Sequence, residues 1–227
     1  FTHDVRRYER HLWDRLEDFS TMILGETGCG KGAAAAALGR SGFVPLNAKG
    51  NGFGMPFVAQ HVPLNLAEVP ATLLESALFG HERGAFTGAI ASREGALGRC
   101  GAHATLFLDE IGEIAPHTQV KLLRVLQERT FSPVGSAVEK RFAGRVVAAT
   151  HRSIDDLRRE GRFRDDFYYR LCSHVVRVPT LQQRLREDAS ELQDLLGVLI
   201  ERIVGERGRS LEGLVEEAIA RDLPKDY

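Results

Sequence analysis

The sequence has little cysteine, no long apolar run and almost no net charge. Its three cysteines lie far apart and form no metal-ligand spacing, which predicts reduced thiols in a reducing compartment. No apolar run approaches the roughly 18 to 20 residues that span a bilayer, and the opening residues lack a signal-peptide pattern. With a formal net charge of −1, no global field attracts nucleic acid or a membrane. We therefore expect a cytoplasmic chain without membrane partners, which acts on DNA only through another segment or protein.

The 227 residues are 43% hydrophobic, enough for one large α/β core and a small helical appendage. After Pro179 the composition shifts to charged segments whose leucines and isoleucines repeat at helical spacing. We predict an α/β domain over residues 1–180 and a partial α-helical lid over residues 181–227. Within the first domain, residues 1–19 have the apolar spacing of a helix, and the glycine-rich residues 42–56 are typical of a surface loop.

Residues 25–30, named here the glycine turn, have the layout of a phosphate-binding loop. They follow an apolar run and precede an alanine-rich run, which predicts a strand, a turn and a helix start. Glycines let successive backbone N–H groups point inward, and Lys31 supplies a cation for outer phosphates. Gly32 replaces the Ser or Thr that usually ligates Mg²⁺, and a turn that binds nothing is the alternative. The candidate nucleotide-binding residues are Gly25, Glu26, Thr27, Gly28, Cys29, Gly30, Lys31 and Gly32.

Two acidic residues follow a buried-type strand predicted over residues 104–108. In a nucleotide-binding parallel sheet, Asp109 can hold Mg²⁺ through water, and Glu110 can polarise the attacking water. The alternative is that both acids cap the next helix or face solvent. A second strand, predicted over residues 145–149, brings Thr150 and His151 to the same edge of the sheet. Thr150 can sense the γ-phosphate there, or it can be an ordinary strand-end residue.

A hexapeptide of small residues around one aromatic follows a helix predicted over residues 71–79. Its residues, named here the hexapeptide loop, are Gly84, Ala85, Phe86, Thr87, Gly88 and Ala89. Phe86 has no apolar partner at helical or strand spacing. It therefore either tucks under its own loop or serves as an exposed anchor on a movable tip.

Two later segments carry a helix signal and a charge cluster. The helix is predicted over residues 116–127, with core candidates Val120, Leu122, Leu123, Val125 and Leu126. Residues 158–170 then hold arginines interleaved with aspartates. By residue type alone, such a cluster is most often a solvated helix face.

Four motifs in a fixed order closely resemble the central AAA+ ATPase domain of bacterial enhancer-binding proteins, the activators of sigma-54 RNA polymerase. They are residues 25–31, the hexapeptide loop, residues 106–110 and residues 161–171. The hexapeptide is the most specific, because other AAA+ clades differ there. The resemblance extends from residue 21 to residue 227. It implies an α/β AAA+ P-loop NTPase fold with a parallel sheet flanked by helices, followed by a small, incomplete helical lid.

The resemblance implies ATP and Mg²⁺ as cofactors. Lys31 is similar to the family's Walker A lysine, and Asp109 and Glu110 match its Walker B pair, with Asp109 on Mg²⁺ through water. Asn65 aligns with the asparagine that holds the catalytic glutamate when the partner is absent. Thr150 fits the first sensor.

The resemblance also implies assembly. Arg164 and Arg170 match the arginine fingers, which reach into a neighbouring subunit's site, so activity implies a homo-oligomeric ring, a hexamer in the family. The hexapeptide loop would then contact the sigma-54 factor, and ATP hydrolysis would remodel the closed promoter complex into an open one. Promoter DNA is contacted indirectly, and enhancer DNA only through a domain outside these residues.

The sequence departs from the family pattern at two places, and these differences suggest alternative functions. The family's second-sensor arginine would fall after Tyr227, and Gly32 lacks the usual hydroxyl, so a nucleotide-binding regulatory module with little or no turnover is the alternative. A different AAA+ machine, such as a helicase loader or a chelatase subunit, is disfavoured by the hexapeptide.

Overall fold

The structure is a computed structural model that describes residues 20–40, 61–188, 190–205 and 212–222. The helix predicted over residues 1–19 and the loop predicted over residues 42–56 lie outside the described residues. The chain divides into two compact units between Val178 and Pro179. None of the helices within the described ranges combines the length and the apolar composition that a membrane crossing requires.

The first unit is built on a five-stranded parallel sheet. The described strands are β1 (Thr21–Leu24), β2 (His61–Asn65), β3 (Gly80–His81), β4 (Arg93–Glu94), β5 (Thr105–Asp109), β6 (Thr130–Phe131), β7 (Lys140–Arg141), β8 (Arg145–Thr150) and β9 (His174–Arg177). The sheet has the order β2-β5-β8-β1-β9, while β3 pairs with β4 and β6 with β7 in short antiparallel ladders. Parallel neighbours cannot be joined by tight turns, so the crossovers carry helices onto the faces of the sheet.

Helices flank the sheet, as the sequence predicts. Those described in the first unit are α1 (Lys31–Arg40), α2 (Leu74–Phe79), α3 (Ala96–Arg99), α4 (Pro116–Glu128), α5 (Ile154–Arg159) and α6 (Asp165–Leu171), with 3-10 turns at Ala71–Leu73 and Ile111–Glu113. The described helices of the second unit are α7 (Leu181–Glu187), α8 (Glu191–Val204) and α9 (Glu212–Asp222). A capping box starts α7: the Gln183 N–H donates to the Thr180 hydroxyl, and the Thr180 N–H donates to the Gln183 side chain.

Apolar side chains of the central strands alternate between the two faces of the sheet. Met22, Leu106, Leu108 and Ala148 belong to the larger core, which also contains buried residues of α4 and α6. Ile23, Phe107, Val147 and Ala149 form the smaller core with Ala35 of α1. A strand with both faces covered reads as a continuous apolar run, which explains why these strands are recognisable from the sequence.

The assignment of Val120 to the core is wrong, because its side chain is 46% exposed. The buried face of α4 includes Gln119, Leu122, Leu123 and Leu126, which occupy the i, i+3, i+4 and i+7 positions. Val120 lies one position past Gln119 and falls off this face. A polar side chain thus occupies a core position that an apolar residue was expected to fill.

Gly95→Ala should destabilise the first unit, because a Cβ there would lie 2.2 Å from the Gly80 nitrogen and 2.4 Å from the Leu78 oxygen. These are backbone atoms, and overpacking of this kind costs about 1–3 kcal/mol. Thermal unfolding followed by circular dichroism should show a Tm lower by roughly 2–4 °C for each kcal/mol. Gly101→Ala is the matched control, since a Cβ there meets no atom within 4 Å. An unchanged Tm for Gly95→Ala would contradict this close approach.

Candidate functional site

The carboxyl ends of three neighbouring strands, β1, β8 and β5, meet at one edge of the sheet. β1 leads into Gly25, β8 ends at Thr150, and β5 ends at Asp109. The Gly25 N–H donates to the Thr150 carbonyl oxygen at 3.4 Å and so ties two of these ends together. The strand order therefore gathers Lys31, Asp109, Glu110 and Thr150 at the edge where open parallel sheets bind ligands.

The glycine turn has the backbone shape of a phosphate cradle. Gly28 and Gly30 have φ angles of 84° and 99°, in the left-handed region that favours glycine. Lys31 opens α1 and is only 7% exposed. Its Nζ donates to the carbonyl oxygens of Gly25 at 3.0 Å and Glu26 at 2.9 Å. The ammonium group is therefore bound by the same turn whose N–H groups can bind an anion.

The other predicted residues of this segment occupy different environments. Glu26 and Thr27 are exposed, whereas Cys29 is buried. A Cβ at Gly25 would lie 2.6 Å from the Cys29 Sγ and 3.1 Å from the Val178 oxygen, so a side chain at residue 25 would force the buried Cys29 side chain to move. Gly32 is exposed, and a Cβ there would meet no atom within 4 Å, so packing does not require glycine at that position.

Asp109 presents a partly buried carboxylate at the end of β5. Burial raises the pKa of the Asp109 carboxyl, and the hydrogen bond from the Glu110 N–H, at 3.0 Å, opposes that rise. The charge of Glu110 raises the same pKa further, and the charge of Lys31 lowers it. A hard oxygen ligand in this position fits Mg²⁺, which typically takes one or two carboxylates together with water and phosphate oxygens.

Glu110 is held at the same edge in a strained backbone conformation. Its φ of 55° lies in the left-handed region, which is uncommon for a residue with a side chain and frequent at functional sites. Its Oε2 accepts from His151 Nδ1 at 2.8 Å, and from the His151 N–H and the Thr150 hydroxyl at 3.3 Å each. Its Oε1 lies 4.0 Å from Lys31 Nζ. The carboxylate therefore contacts donors from β8 and faces the lysine of the glycine turn.

The expected contact between Asn65 and Glu110 is not made in this structure. Asn65 ends β2 and pairs with Asp109 in the sheet, but its Nδ2 donates to Glu68 at 2.8 Å and its Oδ1 accepts the Ala67 N–H at 3.1 Å. These bonds close the turn after β2 and use both polar atoms of the amide. His151 and Thr150 hold the glutamate instead.

The two predicted arginine fingers lie at opposite ends of α6. Arg164 precedes the helix and is exposed, with its guanidinium bound to Asp166 through contacts of 3.0 and 2.8 Å. This pairing lowers the pKa of the Asp166 carboxyl. Arg170 is partly buried, and its Nε and Nη2 donate to the Leu126 carbonyl oxygen at 3.1 and 2.8 Å. Of the two arginines, Arg164 therefore has the solvent-exposed guanidinium, whereas that of Arg170 is bonded to the backbone of α4.

The hexapeptide loop lies between the antiparallel strands β3 and β4. Phe86 is 36% exposed, and its ring meets the edge of His81 with a centroid separation of 4.9 Å. His81 Nδ1 in turn lies 2.7 Å from the Ser76 hydroxyl. Thr87 is exposed, and Ala89 is buried. The ring therefore rests on the base of its own loop and still faces solvent, while the role of an anchor on a movable tip stays a prediction.

A cleft of about 700 Å³ opens beside the glycine turn and the end of β8. Its walls include Gly25, Thr150, His151, Tyr168 and Arg177. This volume lies within the range of small-molecule sites, about 300–1,000 Å³. The edge of the sheet thus combines a phosphate cradle, two carboxylates and a neighbouring cleft.

Two side chains outside the predicted site set contact its members. His151 binds Glu110, and its position directly after Thr150 was the available signal. Gln119 binds the backbone of Arg164 from inside the core. The sequence feature that could have revealed Gln119 is its spacing, because it lies three positions before Leu122 and four before Leu123, on the apolar face of α4.

Asp109→Asn should raise the Tm of the ligand-free chain slightly at pH 7, by an amount of order 1 °C, because the neutral amide avoids the burial penalty on the charge. A carboxyl whose folded pKa is raised favours folding most below its unfolded pKa, and this contribution falls as the pH rises through the folded value. The Tm difference should therefore shrink as the pH falls towards about 4. Scanning fluorimetry across this range, with the exposed Asp155→Asn as control, checks the sign; a lower Tm at pH 7 would contradict it.

The chain is similar in sequence to known transcriptional regulators. The chain is similar to the Nif-specific regulatory protein of Azotobacter vinelandii, with 43% identity over 207 residues that cover 89% of this chain and 36% of the relative. It is also similar to the DNA-binding transcriptional regulator NtrC of Azospirillum brasilense, with 44% identity over 170 residues that cover 75% of this chain and 33% of the relative. The chain thus spans about a third of the length of these curated relatives.

Solved structures agree with the fold. The crystal structure of NtrX from Brucella abortus in complex with ADP has a TM-score of 0.65 and 28% identity, and the match covers 90% of this chain and 42% of NtrX. Hsp104 in its closed state has a TM-score of 0.57 at 17% identity over 88% of this chain and 34% of Hsp104, which supports the AAA+ fold alone. Residues 14–177 match the family described as the sigma-54 interaction domain. The chain therefore belongs to that family, the AAA+ domain of sigma-54-dependent transcriptional activators.

Proposed function

We propose that this domain binds ATP with Mg²⁺ and hydrolyses it to remodel the closed complex of sigma-54 RNA polymerase, which activates transcription. The observation that carries the proposal is the convergence of the glycine turn, Lys31, Asp109 and Glu110 at one edge of the sheet, with Lys31 Nζ 4.0 Å from Glu110 Oε1. A phosphate cradle that faces a carboxylate pair is the arrangement that triphosphate hydrolysis requires. The crystal structure of NtrX in complex with ADP supports the proposal that this domain binds an adenine nucleotide.

Each residue has a distinct role in this proposal. The N–H groups of residues 25–32 and the start of α1 bind the phosphates, and Lys31 exchanges its carbonyl partners for phosphate oxygens. Asp109 would hold Mg²⁺ through water, and the ion would supply positive charge to the outer phosphates. Glu110 orients the attacking water and accepts its proton, while Thr150 senses the γ-phosphate. Asn65, next to Asp109 in the sheet, would hold Glu110 when the partner is absent, and it must first leave its bonds to Glu68 and Ala67.

We propose a homo-oligomeric ring, a hexamer, in the cytoplasm. Arg164, directly before α6, and Arg170, within it, would complete a neighbour's site. An arginine supplied in this way is worth about 10³ to 10⁵ in rate. The exposed Arg164 has only the surface pair with Asp166 to exchange, and such pairs are weak. For Arg170, release from the Leu126 carbonyl oxygen would be needed first.

The hexapeptide loop is the proposed contact with the sigma-54 factor. Gly84, Ala85, Gly88 and Ala89 keep the loop thin, while Phe86 and Thr87 offer an aromatic ring and a hydroxyl to the partner. An aromatic side chain that is already part-exposed provides contact area at a low entropy cost. Promoter DNA is then affected indirectly, through the polymerase, and enhancer DNA is bound by a domain outside these residues.

Glu110→Gln should bind ATP as the parent chain does but lower kcat by about 10²–10⁴-fold. The amide keeps the size of the side chain and an acceptor for His151, but it cannot take the proton of the attacking water. Affinity is measured with a fluorescent ATP analogue, and turnover by phosphate release at several protein concentrations. Glu128→Gln, at an exposed position of α4, is the matched control and should retain the parent kcat.

The same experiment decides between the two candidate functions. Gly32 supplies no hydroxyl to Mg²⁺, which favours a regulatory module that binds nucleotide with little or no turnover. Retained ATP binding with no phosphate release by the parent chain, at any protein concentration, would establish that alternative. Turnover that rises more than linearly with protein concentration would support the ring-forming ATPase, since each site needs a neighbour.

Phe86→Ala should leave kcat for ATP unchanged and weaken binding to the purified sigma-54 factor. A central aromatic anchor contributes about 2 kcal/mol or more, which corresponds to roughly a 30-fold loss of affinity. Fluorescence anisotropy with labelled sigma-54 factor measures the change in the presence of a non-hydrolysable ATP analogue. Val198→Ala removes an exposed apolar side chain from α8 and serves as control. Unaltered affinity in Phe86→Ala would refute the role of the loop.

A further inference from the structure

Gln119 is a fully buried polar residue in the middle of α4, with 0% of its surface exposed. It lies on the same helix face as Leu122, Leu123 and Leu126, where an apolar side chain would normally pack. A buried amide is unfavourable unless its donors and acceptor are satisfied. Its presence on this face therefore requires hydrogen-bond partners inside the core.

The Gln119 amide is bonded at both of its polar atoms. Its Nε2 donates to the carbonyl oxygens of Ile114 at 3.0 Å and Arg162 at 2.7 Å. Its Oε1 accepts the backbone N–H of Arg164 at 2.9 Å. Both N–H groups of the amide are used, so the side chain has one orientation in which its bonding is complete.

These bonds connect two functional segments of the chain. Ile114 follows the 3-10 turn Ile111–Glu113, which begins directly after Glu110. Arg164 is the residue that precedes α6, and its carbonyl oxygen accepts the first bond of that helix, from Tyr168. One side chain thus joins the segment after the protomer's own Glu110 to the backbone from which Arg164 extends.

We propose that Gln119 is a positioning residue for Arg164, and that it couples the site containing Glu110 to the finger that the same protomer supplies to its neighbour. The inference rests on the proposed function, since it requires hydrolysis across a subunit interface. The exposed Arg164 guanidinium makes its described contacts with Asp166 alone, which lies two residues further along the same segment. The place from which the side chain extends is therefore set by the backbone of that segment, which Gln119 bonds at the Arg164 N–H.

The other end of α6 is anchored to the same helix. Arg170 donates to the Leu126 carbonyl oxygen near the end of α4. Removal of the Gln119 amide would leave this anchor and the surrounding apolar contacts in place. The expected change is therefore a misplaced Arg164 rather than a lost α6.

Gln119→Leu should lower kcat for ATP by about 10²-fold, the loss that an error of about 1 Å in position can produce. The KM for ATP should stay close to that of the parent chain, because the glycine turn of the same protomer is intact. Gln127→Leu makes the same substitution at an exposed position of α4 and should not change kcat. A purely structural role of Gln119 predicts instead that folding and ATP affinity fall with kcat.

Mixed assemblies separate positioning from general damage. Lys31→Ala subunits keep Arg164 but cannot use ATP, whereas Arg164→Ala subunits bind ATP but lack the finger, so mixing them should restore part of the activity. Gln119→Leu should behave as the second kind: turnover should rise on mixing with Lys31→Ala and should stay low on mixing with Arg164→Ala. Phosphate release in each equimolar mixture is the measurement.

Each outcome bears on a defined claim. No restoration of Gln119→Leu by Lys31→Ala, in conditions where Arg164→Ala is restored, would overturn the inference, as would restoration by Arg164→Ala. Gln119→Met, which is flexible and similar in size, repeats the test if the leucine variant does not fold; failure of both to fold would also overturn it in favour of a structural role. Lack of turnover in the parent chain would overturn the proposed function and this inference with it.

Discussion

The register of β8 between β1 and β5 is the constraint on which the site depends. β8 pairs Thr150 with Leu24 on one side and Ala148 with Leu108 on the other. A shift of one residue in either ladder would turn alternate side chains to the opposite face and would move Asp109 or the glycine turn by about 3.3 Å. Because apolar residues cover both faces, such a shift would also expose core side chains, so packing and site geometry are fixed together.

The charged groups at this edge differ in how well the protein satisfies them. Lys31 has two carbonyl oxygens, and Glu110 has the donors of Thr150 and His151. Asp109 has one backbone N–H, and burial still raises its pKa. The least compensated charge of the three is thus negative and lies where a divalent cation is proposed. Binding of a magnesium triphosphate would replace the partners of Lys31 and supply a cation to Asp109. Glu110 already has its hydrogen-bond donors, so Asp109 suits the proposed cation and Glu110 the proposed attacking water.

Local motifs made much of the fold and part of the site predictable, while contacts chosen between distant residues were not. Lys31, Asp109 and Thr150 could be placed because each directly follows or ends a buried strand or turn. The partner of Glu110 could not be predicted, because a local turn binds the Asn65 amide and His151 binds Glu110 instead. The sequence did not identify Gln119 as a buried residue, because a polar side chain is not expected in a core. Its spacing to Leu122 nevertheless places it on the buried face of α4.

The attachment of α6 differs from that of the hexapeptide loop, and this difference bears on how a signal could travel. At both of its ends α6 is bonded to α4, through Gln119 and Arg170. The hexapeptide loop instead joins the domain through the short β3–β4 ladder and the bonds of Gly80 and Glu82 to Val134. A displacement of the segment after Glu110 would therefore reach Arg164 with little loss, because packed elements move as units. The described backbone bonds of the β3–β4 ladder run to Val134 rather than to α4, so α6 and the hexapeptide loop are attached to the domain through different segments.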